Sequence, residues 1–423
     1  MDTKPTRRDF LKAASVAGSA AVAMSAKSYA RVVGANDRIG LGMIGCGDRG
    51  RGAHMTGVHP HDKAQNVEFR AVCDVWSVVR EEAAKMAKDW YGIEAKQYTN
   101  YQELINNPDV DAVMIASCDH QHTRHLEAAA KAGKAIVSEK PLSNSLAEGQ
   151  AMLDAVKKAR VANMCGFSYR FAPAVQKIKQ MITKGELGHI FHFRAAYQQD
   201  WIVDPDFPMV WRLKKKFTGS GALGDIGAHI TDLCHFLVGD VCEVASALET
   251  FIKKRQVPSS NVGGISGTSG KNTGKMDTVD VDDAAIYLGR IKGANTLATF
   301  EATRFAPGRR NYNTIEIYGS EGSVLWNQED MNVFHYFSRK DPGTLQGFRK
   351  VQACDPGHAY VGNWWPSGHI IGYEHLFVHE MYEFLCGLKA KKGNYPTFED
   401  AVKCQRVLEA VEKAASSKKW EKV

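Results

Sequence analysis

Short apolar runs alternate with amphipathic stretches through the first third of the chain. Residues 39–44, 67–72, 112–115, 135–137 and 162–165 are apolar almost throughout, as strands buried on both faces are. Between them, 78–90, 122–132 and 146–160 carry apolar residues at helical spacing. Strand–helix alternation at this spacing predicts an α/β Rossmann domain, a doubly wound parallel sheet with helices on both faces. After Gly166 the texture changes. One helical segment, 174–184, precedes strand-like runs at 190–198, 242–252, 284–288, 294–302, 314–318 and 323–326. These predict an α+β C-terminal domain with a large, mostly antiparallel open sheet, closed by helices over 373–388 and 398–415. Residues 258–275 are rich in Gly, Ser, Asn and Lys and read as a mobile loop between two strands.

The N-terminus follows another pattern. Arg7-Arg8-Asp9-Phe10-Leu11-Lys12 precedes a weakly apolar Ala/Ser/Val/Gly run and then Ser28-Tyr29-Ala30. Paired arginines, a mild apolar segment and small residues before a cut are the signature of a twin-arginine signal. The expected organisation is therefore a signal peptide over 1–30, a Rossmann domain over 31–166 and a substrate and oligomerisation domain over 167–423. Export by the twin-arginine translocase, to the periplasm or otherwise out of the cytoplasm, follows. Stable membrane insertion does not, because the apolar run falls short of the ~20 residues a span needs. Five basic and two acidic residues of the leader account for +3 of the +7 net charge, and +4 on the mature chain is no nucleic-acid footprint. Nine cysteines sit singly with no C-x-x-C pair, so no metal site or disulfide framework is expected.

The first strand runs into Gly45-Cys46-Gly47-Asp48-Arg49-Gly50. A G-x-G-x-x-G that follows a strand and opens a helix is a dinucleotide fingerprint. Gly45 permits the tight turn, Gly47 the close approach of a pyrophosphate, and Gly50 the packing of helix on strand. Asp74 ends the second strand, where an acid binds the ribose hydroxyls and repels a 2′-phosphate, which favours NAD over NADP. Ligands of such sheets lie beyond the carboxyl ends of the strands. Those ends offer Ser117, His120 and His122 after the fourth strand, and Glu139 and Lys140 after the fifth.

In the second half, Gly219-Ser220-Gly221-Ala222-Leu223-Gly224-Asp225 leads into a helix with His229 and Asp232. Spacings of four and three place Asp225, His229 and Asp232 on one helical face. Imidazole beside carboxylate suits proton removal from a hydroxyl. A capped core histidine or a metal site are the other readings of the same residues.

With Glu139-Lys140-Pro141, Gly166-Phe167-Ser168-Tyr169-Arg170-Phe171 and Gly224-Asp225-Ile226-Gly227-Ala228-His229 added to the glycine motif, the chain resembles the glucose-fructose oxidoreductase and inositol dehydrogenase (Gfo/Idh/MocA) family along its mature length. The resemblance implies hydride transfer between NAD and a carbinol carbon of a sugar, glycoside or polyol. In that reading Lys140 touches the nicotinamide ribose and the reacting oxygen, His229 is base and acid, and Asp225 holds substrate and histidine in place. It also implies a cis bond before Pro141 and places Tyr169 and Arg170 near cofactor or substrate. Trp201, Arg212 and Asp232 complete the candidate substrate set. An exported dehydrogenase meets no NAD pool, so the dinucleotide is expected to be held tightly and regenerated on the protein. An NAD-dependent glycosidase or lyase working by transient oxidation, and a redox-silent NAD- or sugar-binding protein, are the alternatives. The open sheet predicts a homo-oligomer.

Overall fold

The computed structural model describes residues 38–259, 272–390 and 393–423. The predicted signal peptide, and residues 260–271 of the predicted loop, lie outside the described residues. From Ile39 onward the chain packs as one compact unit.

Six parallel strands form the first sheet in the order β3-β2-β1-β4-β5-β6. They are β1 (Ile39–Ile44), β2 (Val67–Cys73), β3 (Lys96–Tyr98), β4 (Ala112–Ile115), β5 (Ala135–Ser138) and β6 (Asn163–Cys165). Helices α1 (Ser77–Tyr91), α2 (Tyr101–Ile105), α3 (His122–Lys131) and α4 (Leu146–Ala159) cover it. The order reverses between β1 and β4, which opens a crevice at their carboxyl ends. The sequence predicts every strand of this sheet except β3, whose Lys-Gln-Tyr is largely exposed and carries no apolar run.

After α5 (Pro173–Thr183), a nine-stranded mixed sheet runs β16-β15-β14-β13-β7-β12-β11-β8-β17. Its strands are β7 (Ile190–Gln198), β8 (Val241–Glu249), β11 (Ala284–Ile291), β12 (Leu297–Thr303), β13 (Tyr312–Gly319), β14 (Gly322–Asn327), β15 (Val333–Ser338), β16 (Arg349–Gln352) and β17 (Glu421–Lys422). Only β7 and β12 run parallel; the other pairs are antiparallel. Side chains of β11 alternate strictly between buried and exposed, as a sheet packed on one face requires. The buried face carries α6 (Ala228–Leu237) and α8 (Phe398–Ser417), whose start is fixed by a Thr397–Asp400 capping box. α7 (Glu374–Ala390) returns to pack beside the helix after β1, where Gly57 lies against Phe377 and Met381. The predicted 258–275 loop is shorter than expected, because β9 (Lys254–Pro258) and β10 (Asn272–Thr278) pair as an antiparallel ribbon.

The largest core joins both halves, running from Leu126 and Val156 through Tyr169 and Leu233 to Phe300 and Val411. A satellite core of Ile202, Phe207, Met209, Leu213, Val279 and Val281 supports the loop after β7. Among the described residues no helix is long and apolar enough to cross a membrane.

Candidate active site

The glycine turn after β1 has the shape a dinucleotide needs. Gly45 sits at φ +89°, and a Cβ there would meet the Ala116 backbone at 2.6 Å. At Gly50 it would lie 2.0 Å from the Gly45 carbonyl, so helix and turn are in direct contact. At Gly47 it would meet nothing within 4 Å, which leaves open space over the turn for a phosphate group. Asp74 closes the loop by accepting from the Cys46 N–H at 2.7 Å and the Trp76 N–H at 2.9 Å. These residues fit the dinucleotide the sequence predicts.

A cleft of about 610 Å³ opens beside this turn. The first sheet contributes Asp48, Arg49, Ser117, Asp119, Glu139 and Lys140, and the second half contributes Trp201, Arg212, Asp225 and His229. Lys140, carried to the end of β5 and followed by a cis bond to Pro141, spans the two sides. Its Nζ donates to the Asp225 carbonyl at 2.6 Å and to Oδ1 at 3.1 Å. Burial works against the Asp225 charge, but Lys140, Arg304 and Arg212 together hold this carboxyl well below the usual carboxylate range.

The segment that carries Asp225 is a π-helical turn, Leu223–Gly227, running directly into α6. Such turns recur at functional sites. Asp282, just ahead of β11, caps it by accepting from the N–H groups of Gly221 at 2.6 Å and Leu223 at 2.7 Å. A Cβ at Gly221 would fall 1.8 Å from the Asp282 carbonyl, so only glycine fits. His229 is buried, edge-to-face with Tyr169 at 4.7 Å and tilted on Tyr197 at 5.9 Å, and its Nδ1 has no hydrogen-bond partner among the described residues. Burial, reinforced by Lys140, pushes its pKa well below the ordinary imidazole value, so the ring is neutral and able to accept a proton.

Glu139 lies behind Lys140 and is nearly buried. It faces His54 Nε2 at 3.0 Å and Arg49 Nε at 3.6 Å, and accepts from the Lys140 N–H at 3.3 Å. Burial opposes its charge, but Arg49 and His54 hold it below the usual range. Arg49 also covers the Phe377 ring at 4.9 Å.

Several sequence expectations need correction. Asp225 bonds Lys140 and makes no hydrogen bond to His229; the π-turn and the Lys140 ammonium draw it the other way. Asp232 and Arg170 do not line the cleft. They form a buried two-point ion pair, because Asp232 lies seven residues, about 10 Å of helix, deeper than Asp225. Tyr169 stands behind the cleft wall and bonds Tyr197. His122 is fully buried, its ring nitrogens facing the carbonyls of Pro141 at 3.1 Å and Ser117 at 3.0 Å, so it ties two strand ends together. His120 packs on Phe217 at the surface. Residues the sequence did not single out line the cleft as well: Tyr197, Gln199, Arg304 and Asn311. Their signal was positional, since Gln199 and Asn311 directly adjoin the ends of β7 and β13. Among the described residues no cluster of His, Cys, Asp and Glu is placed to hold a metal ion.

Residues 39–167 match the model of an oxidoreductase family with an NAD-binding Rossmann fold, and 175–325 match the GFO/IDH/MocA C-terminal domain. A levoglucosan dehydrogenase of Pseudarthrobacter phenanthrenivorans is 36% identical over 341 residues, 80% of this chain and 86% of that one. A myo-inositol 2-dehydrogenase of Thermotoga maritima is 28% identical over 67% of this chain and 74% of its own. Among solved structures, a levoglucosan dehydrogenase with NADH and levoglucosan superposes with a TM-score of 0.82 at 32% identity, covering 92% of this chain and all of that one. An oxidoreductase domain protein from Kribbella flavida gives 0.83 at 37% identity over 91% and 99%. The chain therefore belongs to the GFO/IDH/MocA family of NAD-binding oxidoreductases and is an NAD-dependent enzyme acting on CH–OH groups.

Proposed function

We propose that the cleft oxidises a secondary hydroxyl of a sugar or sugar-like polyol, with Lys140 and His229 as the catalytic residues and Asp225 as the group that aims Lys140. The observation that carries this reading is the Lys140–Asp225 pair beside a neutral, buried His229, opening on the same cleft as the glycine turn. NAD, when bound, supplies the hydride acceptor. His229 takes the hydroxyl proton, and the Lys140 ammonium favours alkoxide character on the same oxygen. Asp48, Arg49, Ser117 and Glu139 line the side nearer the glycine turn, while Trp201 and Arg212 line the substrate side. Mixing the protein with NAD and a panel that starts from levoglucosan and myo-inositol tests this. Growth of the reduced-nicotinamide band with one sugar supports it, and silence across the panel in a protein that binds NAD overturns it.

Export rests on Arg7-Arg8 and the Ser28-Tyr29-Ala30 site, and it carries the proposal that the dinucleotide is tightly held. A tagged chain that stays cytoplasmic in a strain with an intact twin-arginine translocase would refute export. Fast exchange of bound cofactor would refute tight retention. A homo-oligomer is supported by the outward face of the nine-stranded sheet, where Ile286, Leu288 and Leu297 are exposed. Light scattering that gives a monomer mass would dismiss it.

A further inference from the structure

Residues 353–373 link β16 to α7 and bring Tyr373 to the cleft. Trp365 and Ile370 of this segment are largely exposed, while Trp364 is half-buried against α7. Its Nε1 lies 2.8 Å from His379 Nε2, and an indole N–H can only donate, so this imidazole nitrogen is bare. The neutral ring then carries its proton on Nδ1, which donates to the Phe171 carbonyl at 3.1 Å. Two bonds thus fix the tautomer of a buried side chain.

Tyr360 completes the arrangement. Its ring stacks on the imidazole at 4.3 Å, and its hydroxyl donates to Glu383 Oε1 at 3.0 Å. Its backbone sits at φ +68°, a left-handed conformation that a residue with a Cβ keeps only where its surroundings hold it. The far end of the segment is pinned separately, by Asn332 bonded to both backbone groups of Ile371. Phe171 ends the turn Ser168–Phe171, whose Tyr169 lies edge-to-face with His229 at 4.7 Å and tilted on Tyr373 at 6.1 Å. One imidazole therefore ties a surface segment to the wall behind the catalytic base.

We propose that His379 is a positioning residue for the reaction: its neutral ring, donating to Phe171 and accepting from Trp364, clasps residues 360–364 to the turn that carries Tyr169, and protonation of the ring undoes the clasp. Once protonated, Nε2–H would face the indole N–H, two donors with no acceptor between them. Burial holds the ring's pKa down to about 4, and His375 on α7 and His61 on the turn His59–His61 push the same way. When the segment opens, the ring is solvated and takes a proton near its ordinary value of 6.5. Opening therefore gains about tenfold per pH unit as pH falls from 6.5 toward 4. Glu383, raised by its burial, is freed by the same opening and titrates with the opposite sign. Arg170, beside Phe171, is spent on Asp232. Only the kinetic part of the test rests on the dehydrogenase reading above.

Hydrogen exchange on the full chain, corrected for the intrinsic pH dependence of amide exchange, tests the clasp. Protection of residues 360–364 should fall about tenfold per pH unit between 6.5 and roughly 4.5, while that of β13 stays level. His379→Gln sets an amide oxygen where Nε2 lies, keeps the Trp364 bond, and should abolish the slope. His379→Phe keeps the stack on Tyr360 but loses both bonds, and should lower protection at pH 7 about tenfold. With a sugar that reduces NAD it should also lower kcat/KM about tenfold, and His379→Gln should restore part of that loss. Trp364→Phe removes only the donor and stands in for His379→Phe if that variant does not fold. Flat protection in the wild type, or a slope that persists in His379→Gln and so belongs to His375, overturns the clasp. Wild-type kinetics in both His379 variants overturns the positioning role and leaves the dehydrogenase reading standing. Absence of reduction with every sugar overturns that reading instead, and the exchange result still decides the clasp.

Discussion

The helical element that begins at Leu223 carries two ion pairs seven residues apart, one buried and one open to the cleft, and they serve opposite ends. Arg170 holds Asp232 by two bonds, Nε to Oδ2 at 2.8 Å and Nη2 to Oδ1, and reaches Asp400 on α8 at 3.3 Å. Both carboxylate oxygens are consumed, and the Asp232 side chain is 3% exposed. Lys140 holds Asp225 by one carboxylate oxygen and the backbone carbonyl; the other oxygen faces only Arg304, at 3.9 Å. The Asp225 side chain is 33% exposed, toward the cleft. The first pair is a strut joining three segments of the core. The second leaves bonding capacity unspent where a ligand arrives. Helical spacing says which residues share a face, but only depth along the axis and the count of satisfied lone pairs say which of them can do chemistry.

The sharpest way to break this contrast is to remove one charge from each pair. Lys140→Met should lower kcat/KM about 10³-fold, the range seen when a single donor to a developing oxyanion is lost, while the unfolding midpoint stays close to wild type. Steady-state kinetics with a denaturant titration reads both; loss of fold without loss of rate per folded molecule would reverse the assignment. Asp232→Asn leaves the Arg170 charge buried with only Asp400 beside it. Stability should fall by roughly 3 kcal/mol, the low end for breaking a buried pair, because Asp400 remains as partial compensation. The rate per folded molecule should change only a few-fold. A large drop in kcat without destabilisation would return Asp232 to the active site. Smaller again is His54→Phe, which removes the bond to Glu139 Oε1 at 3.0 Å. About tenfold in kcat/KM is expected, through looser placement of Arg49 and the Lys140 backbone.

The parts legible in the sequence were those with a single physical demand. Buried parallel strands must be apolar on both faces, so five of the six could be read as plain runs. The glycine turn needs glycine for backbone reasons, and Lys140 stands out as a charge at the end of an apolar strand. The substrate wall obeys no such rule. Gln199 and Asn311 look like ordinary loop residues, and only the nine-stranded sheet brings them together across 112 positions. Asp282, which caps the π-turn from a segment ahead of β11, is equally silent in sequence. Ideal α-helical spacing puts Asp225, His229 and Asp232 on one face, but the element begins with a wider π-turn, and Asp225 bonds Lys140 instead of His229.

The mildest test of the contrast is pH, read first at His229. Burial keeps His229 neutral below its ordinary value of 6.5, so the folded protein refuses a proton that the unfolded chain accepts. Acidification through 6.5 should therefore cost stability, by up to about 1.4 kcal/mol per pH unit from this residue, and recovery should follow as pH rises back through that value. For the reaction the sign is the same: a neutral base persists to lower pH, so kcat/KM for oxidation should stay flat across 6.5. Asp119, pushed up to about 6 by its own burial in the cleft, titrates in the same range, as does Asp232, which burial also raises to about 6. An inflection near 6 that vanishes in Asp119→Asn belongs to that carboxyl. One at 6.5 that survives both this substitution and Asp232→Asn would mean that His229 is solvated, and that the neutral-base assignment is wrong.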